Sequence, residues 1–492
     1  MKTPSKGRAD TLSIVVVGAS GDLAQRKVFP ALFALFCQKQ LPARFALFGF
    51  ARSPFTHEAF RARIRENLTC RYVPGDSCAG KMSEFLSRCF YVSGQYAASD
   101  SYLDLYAAMR DVEEGAANRL FYLAIPPTVF LDVARALGDS GLVECGHREP
   151  WSRVVIEKPF GRDRESSDML TREMSKVFSE DQTFRIDHYL GKEVVQNLLV
   201  LRFANLVFEP IWNRRFVKNI EITWKEDLDV QGRAGYFDSF GIIRDVMQNH
   251  LLQILSLVAM ERPRSSSANA IRNEKVKVLK SIAPMTLDDV VVGQYSGSQR
   301  DGRALPGYTD DPAVPKDSIT PTFAATVLRI RNRRWEGVPF LMRAGKGLDQ
   351  RLTEIRIRFR EVSGNIFCAG SSCPDANEFV VRVQPDEAID FKIVNKVPGL
   401  DMTLAARNLD LRYKAAFSQE IPDAYESLLV DVIRGEKGLF IRGDELAAAW
   451  DVFTPVLHEL EARHVRPAPY AQGSRGPAGA DELAARYGAR RV

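Results

Sequence analysis

Leu12 to Val17 is a short apolar run, broken only by Ser13, that ends in Gly18-Ala19-Ser20-Gly21-Asp22-Leu23 and passes into a helical pattern reaching about Gln38. A strand, a glycine turn and a helix in that order open a parallel α/β layer. Three more short strands repeat the pattern: Phe45 to Phe50 stops at Ala51-Arg52-Ser53, Leu120 to Ile125 at Pro126-Pro127, and Arg153 to Glu157 at Lys158-Pro159. Short strands that are apolar on both faces must be covered on both faces, and such sheets take ligands at the carboxyl edge of their strands. Gly18, Arg52, Pro126 and Lys158 are therefore expected on one rim.

Beyond about Arg185 the pattern changes to alternating strands: Ile220 to Glu226, Thr326 to Asn332, Thr353 to Arg360, Phe379 to Gln384 and Ile389 to Val394. Alternation predicts a largely antiparallel sheet. The fold class is thus α/β joined to α+β: a Rossmann-like dinucleotide-binding domain over 1–184 and a larger domain on a mainly antiparallel sheet over 185–492. Pro467 to Gly479 reads as an irregular tail. A chain of 492 residues needs at least two cores, which leaves room for a buried site. No apolar run approaches the ~20 residues of a membrane span, and neither terminus carries a targeting pattern, so the cytoplasm is the expected location. Seven cysteines without a Cys-x-x-Cys pair predict free thiols in a reduced compartment and no zinc site. A net charge of +5, with Arg329, Arg331, Arg333 and Arg334 clustered, fits a nucleic-acid groove less well than a surface that attracts a phosphorylated small molecule.

Gly18-x-x-Gly21 after a strand can bring backbone N–H groups against a pyrophosphate, with Asp22 as a candidate cap for the helix that follows. An NAD enzyme would end its second strand in an acid for the ribose hydroxyl. Arg52 stands there instead and suits a 2′-phosphate, which favours NADP over NAD. A surface arginine in a loop is the plain alternative. Between Phe184 and Glu193 the chain packs Arg185, Asp187, His188, Tyr189, Lys192 and Glu193 around Gly191. His188 and Lys192 stand four apart, as on one helix face, so that two cationic groups converge on an anion; a solvated charge cluster at a strand-to-helix junction is the other reading. His250 continues an apolar stripe of Ile243, Val246, Met247, Leu251 and Ile254, where a satisfied core histidine is the usual finding. The same segment also carries Arg244, Asp245, Gln248 and Asn249, which suits a cleft wall. An imidazole there can take a hydroxyl proton if a carboxylate holds its tautomer, and Asp187 is the candidate.

Four segments together, Gly18-Ala-Ser-Gly-Asp-Leu-Ala24, Glu157-Lys-Pro-Phe-Gly161, Arg185-Ile-Asp-His-Tyr-Leu-Gly-Lys-Glu193 and Arg244-Asp-Val-Met-Gln-Asn-His250, resemble glucose-6-phosphate dehydrogenases, in order from about Ile14 to Pro477. The resemblance implies oxidation of glucose 6-phosphate at C1 to the 6-phospholactone with hydride passing to NADP, the first step of the oxidative pentose phosphate pathway. It implies His250 as general base with Asp187 as its partner. His188, Tyr189 and Lys192 would hold the substrate phosphate, with Glu226, Asp245, Lys346, Arg351 and Gln384 on the remainder of the substrate and Lys158 between sugar and cofactor. Gly18, Ala19, Ser20, Gly21, Asp22, Leu23, Lys27, Arg52 and Lys158 would hold NADP. No metal is required, because the nicotinamide is itself the electrophile. A homodimer or homotetramer is implied, with no nucleic-acid or membrane partner.

This chain departs from the family pattern in places. Phe130 stands where a tyrosine is common. Arg356, Arg382, Lys392 and Arg475 match basic residues that hold a second, structural NADP in many eukaryotic relatives, but Leu352 replaces a lysine, Asp390 a tyrosine, and the tail has no tryptophan. No structural NADP is expected. Two alternatives stay open: a dehydrogenase for an unphosphorylated sugar, against which the His188 and Lys192 pair argues, and a non-catalytic NADP-sensing module, which would leave Asp187 and His250 idle.

Overall fold

The structure, a computed structural model, describes residues 11–143, 150–230, 232–300, 302–368 and 373–489. The expectations attached to the first ten residues, to Cys145 and to the closing Arg-Arg-Val lie outside them. Two compact units emerge. The first runs up to Gly191 and adds Ser265–Arg272 and Glu420–Ala447; the second holds Lys192–Arg264, Asn273–Gln419 and Ala448–Val492. A single division at 184/185 treats each half as continuous, whereas the first unit reclaims two later segments.

The first unit is built on six parallel strands: β1 (Thr11–Val17), β2 (Arg44–Ala51), β3 (Cys89–Ser93), β4 (Asn118–Leu123), β5 (Ser152–Ile156) and β6 (Thr183–Arg185), in the order β3-β2-β1-β4-β5-β6. Ile14 to Val17 and Leu120 to Leu123 are fully buried, as strands covered on both faces must be. The chain winds outward in both directions from the β1/β4 pair, and this reversal opens the ligand crevice of a doubly wound sheet. β3 was not foreseen. It is short and only alternately buried, so it lacks the apolar run that announces β1 and β4.

The segment that returns from 420–447 has a physical reason to do so. In the helix Ala424–Arg434, Tyr425, Leu428, Leu429 and Val432 form an i, i+3, i+4, i+7 stripe, and this stripe joins Leu32, Phe33, Phe85 and Phe184 in the core. Each large apolar side chain so covered contributes roughly 1.5–3 kcal/mol. Gly191 allows the contact, since a Cβ there would meet the Ala424 carbonyl oxygen at 2.4 Å.

The second unit carries a nine-stranded sheet of β7 (Val217–Lys225), β8 (Val290–Ser296), β11 (Phe323–Arg329), β12 (Pro339–Gly345), β13 (Leu352–Phe359), β14 (Glu378–Gln384), β15 (Ala388–Lys396), β16 (Leu404–Arg412) and β17 (Ala468–Ala471). β9 (Ser298–Arg300) and β10 (Arg303–Leu305) form a separate ribbon. The order is β16-β15-β14-β13-β7-β12-β11-β8-β17, antiparallel except for the parallel pairs β7/β12 and β8/β17. β17 and the helix Ala478–Arg486 correct the expectation of an irregular tail. Tyr470 explains the order: it is buried, and its hydroxyl donates to the Lys346 carbonyl oxygen at 2.7 Å.

The expectation of free thiols is overturned. Cys70 is bonded to Cys78 and Cys368 to Cys373, with Cα separations of 5.9 and 4.2 Å; of the described cysteines only Cys37 and Cys89 are free. Composition counts cysteines but says nothing about which turns bring two of them together. Among the described residues no helix is long and apolar enough to cross a membrane.

Candidate active site

The first unit supplies a rim. Gly18 follows β1 with φ of +85°, donates its N–H to the Phe50 carbonyl oxygen at 2.8 Å, and would drive a Cβ into the Ala124 carbonyl oxygen at 2.2 Å. Only glycine fits there, and its absent side chain leaves the backbone open to a close ligand. The helical turn that follows, Ala24–Val28, is π-wound, and its N-terminus has no side-chain cap. Asp22 does not cap it: its carboxylate pairs with Arg26 at 2.8 Å. Arg52, exposed just past β2, lies over the Tyr96 ring at 5.3 Å, and Lys27 pairs with Asp423 at 3.2 Å. Lys158 is half-buried just past β5, and Phe130 is fully buried.

Asp187 sits in the turn after β6. It is 2% exposed and its Oδ1 accepts the Tyr189 N–H at 3.0 Å, an Asx turn that fixes the carboxylate and aims the next residues. The His188 ring lies edge-on to Tyr189 at 5.0 Å and stacks on Tyr425, with planes 9° apart and centroids at 6.2 Å. Glu157, at the end of β5, has its carboxyl buried against the Tyr122 hydroxyl, which donates to it at 2.5 Å, and against the Tyr425 hydroxyl. Sequence reasoning missed this network, because nothing local in the chain says that Tyr425 returns to the first unit.

The second unit gathers its polar groups at one end of the wide sheet. Register aligns Gln384, Thr353, Trp224 and Ala344 across β14, β13, β7 and β12. Glu226, Lys346 and Arg351, each one residue beyond a strand end, therefore come to the end of the sheet that Gln384 also occupies. The Lys346 ammonium reaches the Glu226 carboxylate at 2.5 Å, over Trp224 at 5.2 Å and Phe237 at 5.6 Å. Lys192 donates to the Gln384 side-chain oxygen at 3.0 Å. Arg351 is exposed. One expectation changes: Lys192 has extended backbone and precedes the helix Glu193–Ala204, while His188 lies in the turn before Gly191, so the two do not share a helix face.

His250 lies on a π-wound segment, Ile243–Leu251, that continues into the α-helix Leu252–Ala259. In an α-helix residues five apart diverge by about 140°. π winding, with its i→i+5 hydrogen bonds, brings Asp245 and His250 toward one side, and such insertions are common at functional sites. His250 is 3% exposed, and its backbone N–H donates to the Asn249 side-chain oxygen at 2.7 Å. Asn249 in turn donates to the Arg244 carbonyl oxygen, and Arg244 pairs with Glu461 at 2.6 Å. A histidine so buried, on a segment anchored at Asn249 and Arg244, is a fixed group rather than a mobile surface one.

The first unit thus offers a glycine-cradled crevice with a cationic end, which fits a nicotinamide dinucleotide, and the second a polar sheet end with two lysines, which fits an anionic polyol. Comparison with known proteins agrees. The model of the glucose-6-phosphate dehydrogenase NAD-binding domain matches residues 15–197, and that of the C-terminal domain matches 199–491. A chloroplastic glucose-6-phosphate 1-dehydrogenase of Arabidopsis thaliana is 55% identical over 99% of this chain and 84% of its own. A cytoplasmic isoform of Solanum tuberosum is 49% identical over 96% and 91%. A glucose-6-phosphate dehydrogenase solved in complex with its substrate superposes with a TM-score of 0.90 at 42% identity, covering all of both chains. Motif, fold and full-length similarity converge, and the chain belongs to the glucose-6-phosphate dehydrogenase family.

Proposed function

We propose that this oxidoreductase converts glucose 6-phosphate to the 6-phosphoglucono-1,5-lactone with NADP as acceptor, His250 acting as general base and Asp187 as its carboxylate partner. The observation that carries the reading is the sheet end, where Lys192 donates to Gln384 and Lys346 pairs with Glu226, polar contacts on half-buried lysines that an incoming anion can replace. His250 takes the C1 hydroxyl proton, and Asp187 stabilises the imidazolium that forms. His188, Tyr189 and Lys192 hold the phosphate, while Glu226, Asp245, Lys346, Arg351 and Gln384 orient the sugar. Lys158 serves both ligands at the rim. When bound, the nicotinamide supplies the hydride acceptor. Gly18 to Leu23, with Lys27, receive the pyrophosphate side of the cofactor, and Arg52 the 2′-phosphate, where a planar guanidinium makes paired hydrogen bonds.

A homodimer or homotetramer in the cytoplasm completes the proposal. β16 is an edge strand with Leu409 and Leu411 exposed, next to exposed Leu400 and Met402, a surface that a second copy can cover. The test is reduction of NADP and of NAD, each with glucose 6-phosphate and with plain glucose. Turnover confined to the phosphorylated sugar with a preference for NADP is expected. Equal rates with glucose would remove the phosphate role of His188 and Lys192, and no turnover at all would return the chain to the NADP-sensing reading.

A further inference from the structure

Glu157 has no task in the reaction above, yet its carboxyl is buried where β5 hands the chain to Lys158. A carboxylate withdrawn from water is costly unless hydrogen bonds and charges compensate it. The compensation comes from separate parts of the first unit: the Tyr122 hydroxyl on β4, the Tyr425 hydroxyl at the start of the returning helix, and the neighbouring Lys158 ammonium. The Asp187 carboxylate, in the turn after β6, opposes the charge, and Asp423 is the further acid that faces Tyr425. Burial outweighs the donors and lifts the Glu157 carboxyl to about 7. This network therefore ties together β4, β5, the Asp187 turn and the helix on which His188 stacks.

We infer that Glu157 is a positioning residue for the reaction, a clamp that fixes the chain entering Lys158 and places a second negative charge beside Asp187. The inference rests on the assignment of Asp187 and His250 made above. Its geometric consequence falls on the turnover rate, because Lys158 is placed by the residue before it. Its electrostatic consequence falls on the base. Where Glu157 is ionised, from about neutrality upward, its charge near Asp187 favours the imidazolium, so losing it lowers the proton affinity of His250 in that range.

The full-length variants E157Q, E157D and Y122F decide the matter, with kcat/KM for glucose 6-phosphate followed from about pH 5 to 9 at saturating NADP. In E157Q, which keeps the volume and removes the charge, the acid limb should move to lower pH by about half a unit and the plateau kcat fall roughly tenfold. E157D keeps the charge and should leave the limb at its wild-type position. Y122F removes a donor, which raises the Glu157 pKa and empties its charge near neutrality, so the limb should move the same way as in E157Q. A purely structural role would lower thermal stability and the fraction of active enzyme without moving the limb. Limbs of E157Q and Y122F that superpose on that of the wild type overturn the inference, and if E157Q does not fold, Y122F alone settles it. Wild-type protein that does not oxidise glucose 6-phosphate defeats the proposed function instead, before any variant is compared.

Discussion

Two sets of cations occupy the nine-stranded sheet, and they are held in opposite ways. At the sheet end Lys346 has Glu226 at 2.5 Å and Lys192 has Gln384 at 3.0 Å, both on half-buried lysines whose partners are only partly withdrawn from solvent. Along the strands, Arg356 is gripped by Glu354 at 2.7 Å and Glu378 at 2.6 Å, Arg358 has the same Glu378 at 3.2 Å, and Arg343 faces Asp481 at 3.7 Å. Glu354 and Glu378 are almost fully buried and cannot swing away. A cationic cluster is a ligand site only where its compensation can be displaced; where buried acids already compensate it, an incoming anion gains little and strands two carboxylates. Arg52, exposed and lying over one aromatic ring, belongs with the lysines.

The sharpest test of the sheet end as the working surface is the proposed base, His250. H250Q should lower kcat by about 10²- to 10⁴-fold, the range expected for a lost general base, while glucose 6-phosphate still binds within a few-fold of wild type. Turnover near the wild-type level would dissolve the contrast, since both regions would then be structural. Direct binding measured by calorimetry separates lost chemistry from lost folding.

Next in size is K192Q. A charge-assisted hydrogen bond to a phosphate contributes about 1.5–3 kcal/mol, so kcat/KM for glucose 6-phosphate should drop by roughly 10- to 100-fold. Plain glucose, if turned over at all, should be unaffected, because it has no anion to lose. A uniform loss on both sugars would make Lys192 part of the scaffold. R52A should be smaller again, raising KM for NADP by about tenfold with little change for NAD, as steady-state titration of each cofactor would show.

How much of this the sequence disclosed depends on the range of the interaction. β1 and β4 were legible because their apolar runs are local, and so was Gly18, because a glycine at a strand end has a local cause. His250 was legible as a polar break in an apolar stripe, but the π winding that turns Asp245 toward it has no sequence period of its own. His188 and Lys192 misled, since spacing of four means a shared face only where the helix has begun, and it begins at Glu193. Tyr425, the partner of Glu157 and His188, lies more than 200 residues from either, and the pairing of Cys70 with Cys78 depends on a turn that composition does not describe. Tyr470, in a stretch rich in Pro and Gly, became a strand residue because β8 offered an edge.

The weakest kinetic effect is expected at the other pole of the comparison, and it is there that the second NADP is decided. Arg356 is one of the positions at which the resemblance raised a structural cofactor, yet its guanidinium is committed to Glu354 and Glu378, as Lys392 is to Asp375 at 2.8 Å and Asp390 to Arg412 at 2.9 Å. R356Q should change kcat/KM for either substrate by less than about twofold. It should nevertheless lower unfolding stability by about 1–3 kcal/mol, because Glu378 loses one of its cations while remaining 3% exposed. Equilibrium binding to the wild type should then show about one NADP per chain, with R356Q unchanged in that stoichiometry. A second bound NADP that vanishes in R356Q would mean that the buried acids do release their arginine, and that rigid compensation does not by itself close a cationic site.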